Sequence, residues 1–160
     1  MYDPDHYKVV FFSSAPIGVP FLQALSEDKR FNVVGIVTMP DAPSGRGMKM
    51  KENIIKASII KPQASDGFVV TPKKINPEKS EEGKEFAQWL KDKNPDFLVV
   101  IAYGKIIPQL LLDIPKIASI NVHGSLLPKY RGASPIQSIF LNHETETGIT
   151  IMKMDAAMDT

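Results

Sequence analysis

The stretch Phe97-Leu98-Val99-Val100-Ile101 is the strongest indication of the fold in this chain. An unbroken apolar run of this length is typical of a strand that is buried on both faces of a sheet. Similar runs occur at 9–12, 33–37, 68–70 and 117–120, and residues 147–154 also have strand character. Because helical patterns separate these strands, we predict an α/β fold: a doubly wound, mostly parallel sheet with helices on both faces.

The predicted helices are segments in which apolar residues recur at helical spacing. Val19, Leu22 and Leu25 mark the first of them. A short helix is predicted within 52–61 with Ile54, Ile55 and Ile59 facing inward, and a longer one at 82–91 with Phe86, Trp89 and Leu90 facing inward. Ser134 is a candidate N-cap for a last helix that runs to about Leu141.

Composition limits the class of protein. The chain has 160 residues with a net charge of +1 and 43% hydrophobic residues, which favours a single domain with one core and no overall attraction to nucleic acid or membrane. It has no cysteine, which excludes disulfides, thiolate zinc sites and a cysteine nucleophile. The polar amino terminus is no signal peptide, and the longest apolar runs are too short to span a bilayer. These features are compatible with a cytoplasmic protein.

Polar residues follow the apolar run 117–120. Asn121 and His123 are two apart, so on a strand they project to the same side. Open α/β sheets bind their ligands at this carboxyl end. An amide beside a titratable ring suits a reaction in which a carbonyl oxygen gains negative charge while a proton is lost. The other histidines, His6 and His143, lack such a setting, and we expect structural or surface roles for them.

Two acids follow the last predicted strand. Asp155 and Asp159 have the character of solvated turn residues, but either could reach His123 from the neighbouring strand. A carboxylate there would orient the imidazole and favour its charged form.

Two loops are further candidates. Residues 40–51 form a loop rich in Pro, Gly and Lys that contains Arg46, Lys49 and Lys51. It is either a mobile surface connection or a contact for phosphate or nucleic acid. Residues 102–108 follow the central strand and form either an ordinary turn or the wall of a ligand crevice.

The chain lacks the sequence signatures of other enzyme classes. The first turn, Ser13-Ser14-Ala15-Pro16-Ile17-Gly18, is not the Gly-x-Gly-x-x-Gly of dinucleotide sites, and no P-loop is present. Ser125 is not part of a Gly-x-Ser-x-Gly nucleophile elbow.

The segment 121–137, Asn-Val-His-Gly-Ser-Leu-Leu-Pro-Lys-Tyr-Arg-Gly-Ala-Ser-Pro-Ile-Gln, closely resembles a signature of the folate-dependent formyltransferase family. Residues 147–160 resemble the family's second signature up to its final Asp-x-Gly unit, whose Gly would follow Thr160. The loop 39–51 is similar to the insertion of those members that act on tRNA, and residues 99–108 also fit. The resemblance covers nearly the whole chain.

The resemblance implies a Rossmann-like domain that transfers a formyl group from 10-formyltetrahydrofolate to the amino group of an initiator methionyl-tRNA, without a metal. It assigns catalysis to Asn121 as the oxyanion donor, His123 as stabiliser or proton carrier, and Asp159 as the residue that orients His123. It assigns the folate pocket to Gly104, Lys105, Ile107, Ser125, Leu126, Leu127, Pro128, Ala157 and Met158. It assigns the acceptor end of the tRNA to Arg46, Lys49 and Lys51.

Two departures from the family leave alternatives open. Ser13-Ser14 stands where the family usually has Gly-Thr or Gly-Ser. Residues 1–160 would form the catalytic domain, without the family's carboxy-terminal barrel, so we expect a truncated protein with weaker affinity for whole tRNA. The alternatives are a formyltransferase for an amino sugar nucleotide or another small amine, and a non-catalytic module that binds folate or RNA.

Overall fold

The computed structural model describes residues 6–44, 48–59 and 67–155, and they form a six-stranded sheet, a two-stranded hairpin and five helices. In chain order the elements are β1 (Tyr7–Ser13), α1 (Gly18–Glu27), β2 (Phe31–Val37), β3 (Ala42–Ser44), β4 (Lys49–Lys51), α2 (Ile54–Ala57), β5 (Val69–Val70), α3 (Glu81–Asp92), β6 (Phe97–Ile101), α4 (Gln109–Leu112), β7 (Ala118–His123), α5 (Pro135–Leu141) and β8 (Thr150–Lys153). None of the helices in these ranges is long and apolar enough to cross a membrane.

The main sheet has the strand order β5-β2-β1-β6-β7-β8. Every neighbouring pair is parallel except β7 and β8, which are antiparallel. The prediction of a mostly parallel α/β sheet is therefore confirmed. After β1 the chain winds to one side through β2 and β5, and it then crosses to the other side through β6 and β7. This reversal leaves a crevice outside the carboxyl ends of β1 and β6, where open sheets of this kind bind ligands.

Helices cover both faces of the sheet because the central strands are apolar on both sides. Val10, Phe12, Leu98 and Val100 pack with residues of α3 and α4 on one face, which we call the α3 face. Val9, Phe11, Val99 and Ile101 pack with Leu22 of α1 and Ile55 of α2 on the opposite face, the α1 face. Each such side chain contributes about 1.5–3 kcal/mol when it is fully buried.

Local patterns predicted most elements, with exceptions. The loop predicted at 39–50 contains the β3–β4 hairpin, in which Ala42 pairs with Lys51. Helix α4 was not predicted. The prediction that Ile54 faces inward is wrong, because its side chain is 40% exposed, whereas Ile55 is fully buried. Ser134 does precede α5, but its side chain makes no capping hydrogen bond.

Candidate active site

Asn121 and His123 lie on the α3 face at the carboxyl end of β7. Asn121 pairs with Val100 of β6, a residue of the α3-face core, so it shares that side of the sheet. Ile120, which precedes Asn121, and Val122, which lies between Asn121 and His123, pack on the α1 face. The alternation of a strand therefore brings the amide and the imidazole to one side, and His123 is only 5% exposed.

The ring of His123 is held by the loop that follows it. Its Nε2 lies 3.0 Å from the carbonyl oxygen of Tyr130. A carbonyl oxygen only accepts hydrogen bonds, so Nε2 carries the proton, and in the neutral ring the lone pair is on Nδ1. The loop thereby selects one tautomer of His123, which determines the nitrogen that is able to accept a proton.

The same loop is tied to the edge strand β8 through one threonine. Thr150, which pairs with His123, donates from Oγ1 to the carbonyl of Ser125 at 2.7 Å and accepts from the amide of Leu127 at 3.0 Å. Ser125 is fully buried and donates from Oγ to the carbonyl of Lys129 at 2.7 Å. The hydroxyl and carbonyl of Ser125 are thus used inside the loop, where they hold its shape.

Tyr130 is connected to the end of α5. Its hydroxyl donates to Glu144 Oε1 at 2.8 Å, and Lys129 Nζ lies 3.3 Å from the same oxygen. The hydrogen bond from Tyr130, followed by the bond and charge of Lys129, lowers the pKa of Glu144, and the same carboxylate raises the pKa of Tyr130. Both shifts favour the pair in which a neutral phenol donates to a carboxylate.

The turn after β6 presents an open backbone to the crevice. Gly104 has φ +89°, and a Cβ placed on it would meet no atom within 4 Å. Ile106 beside it is 77% exposed, whereas Tyr103 and Ile107 are buried in the α3-face core. A flat ring therefore has room to lie over Gly104. Ile107 offers such a ring only its backbone, because its side chain belongs to the core.

Lys105 stabilises this turn through two hydrogen bonds. Its ammonium donates to the carbonyls of Pro72 at 2.6 Å and Lys73 at 2.8 Å. Burial lowers the pKa of that ammonium. The side chain therefore ties the turn to the loop after β5.

The basic hairpin stands at the same edge as the crevice and is anchored at its base. Asn53 accepts from Thr38 Oγ1 at 2.8 Å and donates from Nδ2 to the carbonyl of Ser14 at 3.3 Å. The backbone amide of Asn53 donates to Asp41 Oδ1 at 3.0 Å. Lys51 at the end of β4 is exposed. The hairpin is thereby joined to the turns that follow β1 and β2.

The two acids behave differently. Strand β8 runs antiparallel to β7, with Thr150 opposite His123 and Lys153 opposite Ile120. Continued by two residues, this register places Asp155 opposite Ala118, at the amino end of β7 and away from His123, so the option that it orients the ring is wrong. Asp159 lies outside the described residues, as do Ala157, Met158 and Arg46, so the roles expected of these four residues stay predictions.

A shallow cavity of about 260 Å³ lies on the outer side of the loop. Leu126, Leu127 and Pro128 line it together with Tyr130 and Glu144, but Asn121, His123 and Gly104 do not. The residues predicted for one folate pocket are thus divided between this cavity and the crevice. In the ranges that the structure describes, no group of three or more His, Asp or Glu side chains is placed to hold a metal ion.

The mostly parallel sheet, its strand order and the helices on both of its faces define a domain of the Rossmann-like class. The Formyl transferase family matches residues 7–160, and the chain belongs to that family. It is 43% identical over 153 residues to the methionyl-tRNA formyltransferase of Clostridioides difficile (strain 630), covering 96% of this chain and 46% of that protein. It is 44% identical to the enzyme of the same name from Trichormus variabilis, again covering 96% of this chain but 43% of that protein. The chain thus spans about half the length of these curated relatives.

Solved structures show the same fold. Phosphoribosylglycinamide formyltransferase from Bacillus halodurans superposes with a TM-score of 0.66 at 25% identity, covering 96% of this chain and 74% of that one. The corresponding protein of Streptococcus pneumoniae TIGR4 gives a TM-score of 0.70 at 20% identity, with 96% and 77% covered.

Sequence reasoning missed the residues that shape the loop. Tyr130 and Glu144 meet across 14 positions of the chain, and Thr150 reaches Ser125 across 25. Such contacts leave no periodic signal. The strand character of 147–154 was the only local sign, and it does not show that Thr150 lies opposite His123.

Proposed function

We propose that this chain transfers a formyl group from a reduced folate, 10-formyltetrahydrofolate, to the amino group of methionyl-tRNA. The observation that carries the proposal is the projection of Asn121 and His123 to one face of the sheet at the carboxyl end of β7, the end at which open sheets bind ligands. The name of relatives at 42–44% identity, methionyl-tRNA formyltransferase, supports methionyl-tRNA as the acceptor. The folate donor follows from the resemblance to the folate-dependent family. As an enzyme of translation, the protein would act in the cytoplasm.

The two side chains divide the chemistry between them. Attack by a neutral amine on a formyl carbon places negative charge on the formyl oxygen and leaves a surplus proton on nitrogen. The amide of Asn121 donates a hydrogen bond to that oxygen, and the imidazole of His123 holds or accepts the proton. The bond between the formyl carbon and the donor nitrogen of the folate then breaks, and that nitrogen takes up the proton as it leaves. A preorganised donor of this kind contributes about 3 kcal/mol, or roughly a hundredfold in rate. Asp159 would orient His123 from the segment after β8.

A pterin-like ring would lie in the crevice. Gly104 offers an uncovered backbone and Ile106 an exposed apolar side chain beside it. The ring would lie over Gly104 and hydrogen-bond to backbone groups of the turn that Lys105 braces. The peptide groups of Leu126, Leu127 and Pro128, with Ala157 and Met158, would complete the donor site.

The acceptor end of the tRNA would lie against the hairpin. Lys51, together with Lys49 and Arg46 as the resemblance assigns them, would supply the positive charge, and such charges position a phosphate backbone. The anchor at Asn53 and Asp41 would keep this surface at a constant angle to the crevice.

A formyl-transfer assay tests the proposal. It compares charged initiator tRNA with small amines as acceptors, using this chain and a version extended to the length of its relatives. We expect transfer to the tRNA, and a loss of at least a hundredfold in Asn121→Ala with the folded state intact by circular dichroism. Transfer to small amines alone, or near wild-type turnover in Asn121→Ala, would contradict the proposal.

A further inference from the structure

We propose that Glu144 is a positioning residue that sets the tautomer and orientation of His123 through Tyr130. The inference rests on the proposed function, because it concerns the ring that would handle the proton of the attacking amine. Glu144 itself has no contact with Asn121 or His123 in the hydrogen bonds and ion pairs of the described ranges, so its effect passes through Tyr130.

The first step is the bond between the ring and the loop. His123 Nε2 donates to the carbonyl oxygen of Tyr130 at 3.0 Å. Tyr130, which presents that carbonyl, has φ +56°, a left-handed conformation that residues with a Cβ adopt only at a cost. A residue in this conformation relaxes unless its surroundings hold it.

The second step is the tie that holds Tyr130. Its phenol donates to Glu144 Oε1 at 2.8 Å, and Lys129 Nζ supports the same oxygen at 3.3 Å. The side chain of Glu144 is 32% exposed, so water competes only in part for this bond. The tie fixes the side chain of Tyr130, and with it the backbone that presents the carbonyl.

The third step is the backbone structure that fixes the position of Glu144. The amide of Glu144 donates to the carbonyl of Ile139 at 3.2 Å, and the amide of His143 donates to that of Phe140 at 3.1 Å. With His143 at φ +54°, these bonds form a Schellman motif that closes α5. Ile139 is 5% exposed, so the burial of its side chain fixes the end of α5 from which Glu144 extends.

The tautomer of His123 gives a test that needs no activity. In ¹⁵N NMR spectra of the histidine rings, with His123 assigned through a His123→Asn variant, we expect the neutral ring of the wild type to be protonated at Nε2. Tyr130→Phe and Glu144→Ala should yield a mixture of tautomers. Glu144→Gln keeps an oxygen that accepts from Tyr130 and should restore the wild-type spectrum.

Turnover gives the second readout. We expect Glu144→Ala to lower kcat by tenfold to about a hundredfold with little change in KM, since a displaced catalytic group costs up to about that much. Glu144→Gln should recover most of the loss. Glu81→Gln is the matched control, because Glu81 pairs with Lys84 at 2.9 Å on α3, far along the chain from the loop.

Two results would overturn the inference: a wild-type ring protonated at Nδ1 instead of Nε2, or a Glu144→Ala variant whose tautomer and kcat both match the wild type. Thermal melts of each variant show whether a loss comes from unfolding. A change of tautomer in Glu144→Ala supports the inference even if neither the wild type nor any variant transfers formyl to tRNA. A lack of transfer in the wild type would count only against the proposed function.

Discussion

Ser13 and Ser14 are neighbours with opposite effects on stability. Ser13 Oγ is buried without a hydrogen-bond partner and lies against Gly18, where a Cβ would collide with it. Ser14 Oγ accepts from the amide of Met39 at 3.0 Å. A buried hydroxyl without a partner costs free energy, whereas a satisfied one stabilises modestly.

We expect Ser13→Ala to raise the free energy of unfolding by about 1 kcal/mol and Ser14→Ala to lower it by about the same amount. Urea denaturation of both variants measures the two changes. Gly18→Ala should be destabilising, and Ser13→Gly in the same chain should relieve the collision. Equal destabilisation by the two serine variants would show that Ser13 does have a partner.

The candidate site was predictable to the extent that it depends on strand alternation. The spacing of Asn121 and His123 was sufficient, because a strand brings such residues to one side whatever packs around it. Ile107 was assigned to the donor pocket from resemblance, yet its side chain is in the core. Neighbouring turn residues alternate between crevice and core, and only the tertiary packing determines which of them is exposed.

Helix α5 ends on a residue whose conformation suits glycine. His143 has φ +54° at the position of the Schellman motif that glycine usually occupies. We expect His143→Gly to raise the free energy of unfolding by about 0.5–1 kcal/mol, since relief of the left-handed strain exceeds the added chain entropy. Thermal unfolding measures it. His143→Ala, which keeps a Cβ, should give no such gain, and an equal gain would assign the effect to loss of the imidazole.

The β3–β4 hairpin should be anchored in a pH-dependent way. The amide of Asn53, and then the ammonium of Lys56 at 2.9 Å, lower the pKa of Asp41. A carboxyl whose pKa is lower in the folded state contributes stability above its unfolded value of about 4, and this is lost as the pH falls through the folded value.

We therefore expect the stability difference between wild type and Asp41→Asn to be largest near neutral pH and to shrink below about pH 4. Thermal unfolding between pH 7 and pH 2.5 measures it. Lys56→Gln removes the smaller cause and should have the smaller effect. A difference that does not change over this pH range would exclude a role for the charge of Asp41.

At the scale of the whole molecule, sequence predicted a parallel sheet because its central strands are apolar on both faces, which only a sheet between two helical layers accommodates. It did not reveal the direction of β8. That direction depends on contacts between distant segments, and it moves Asp155 from the neighbourhood of His123 to the amino end of β7. A strand-level prediction was thus correct, while the option that Asp155 reaches His123 was not; the choice of Asp159 stays a prediction.

Exposed apolar side chains lie on α5 and on or next to β8. Ile149 and Ile151 are 56% and 70% exposed, and Phe140 and Leu141 are 74% and 79% exposed. In the described part of the chain β8 pairs only with β7, so its outer edge offers unpaired backbone groups next to the exposed side chain of Ile151. Such edges promote association between chains.

We expect the 160-residue chain to self-associate at micromolar concentrations, and Ile151→Lys to reduce that association severalfold by placing a charge on the edge strand. Sedimentation velocity over a concentration series measures it. Ile106→Lys is the matched control, because Ile106 is as exposed, at 77%, but lies on the turn after β6. If both variants reduced association equally, general hydrophobicity and not the β8 edge would be the cause.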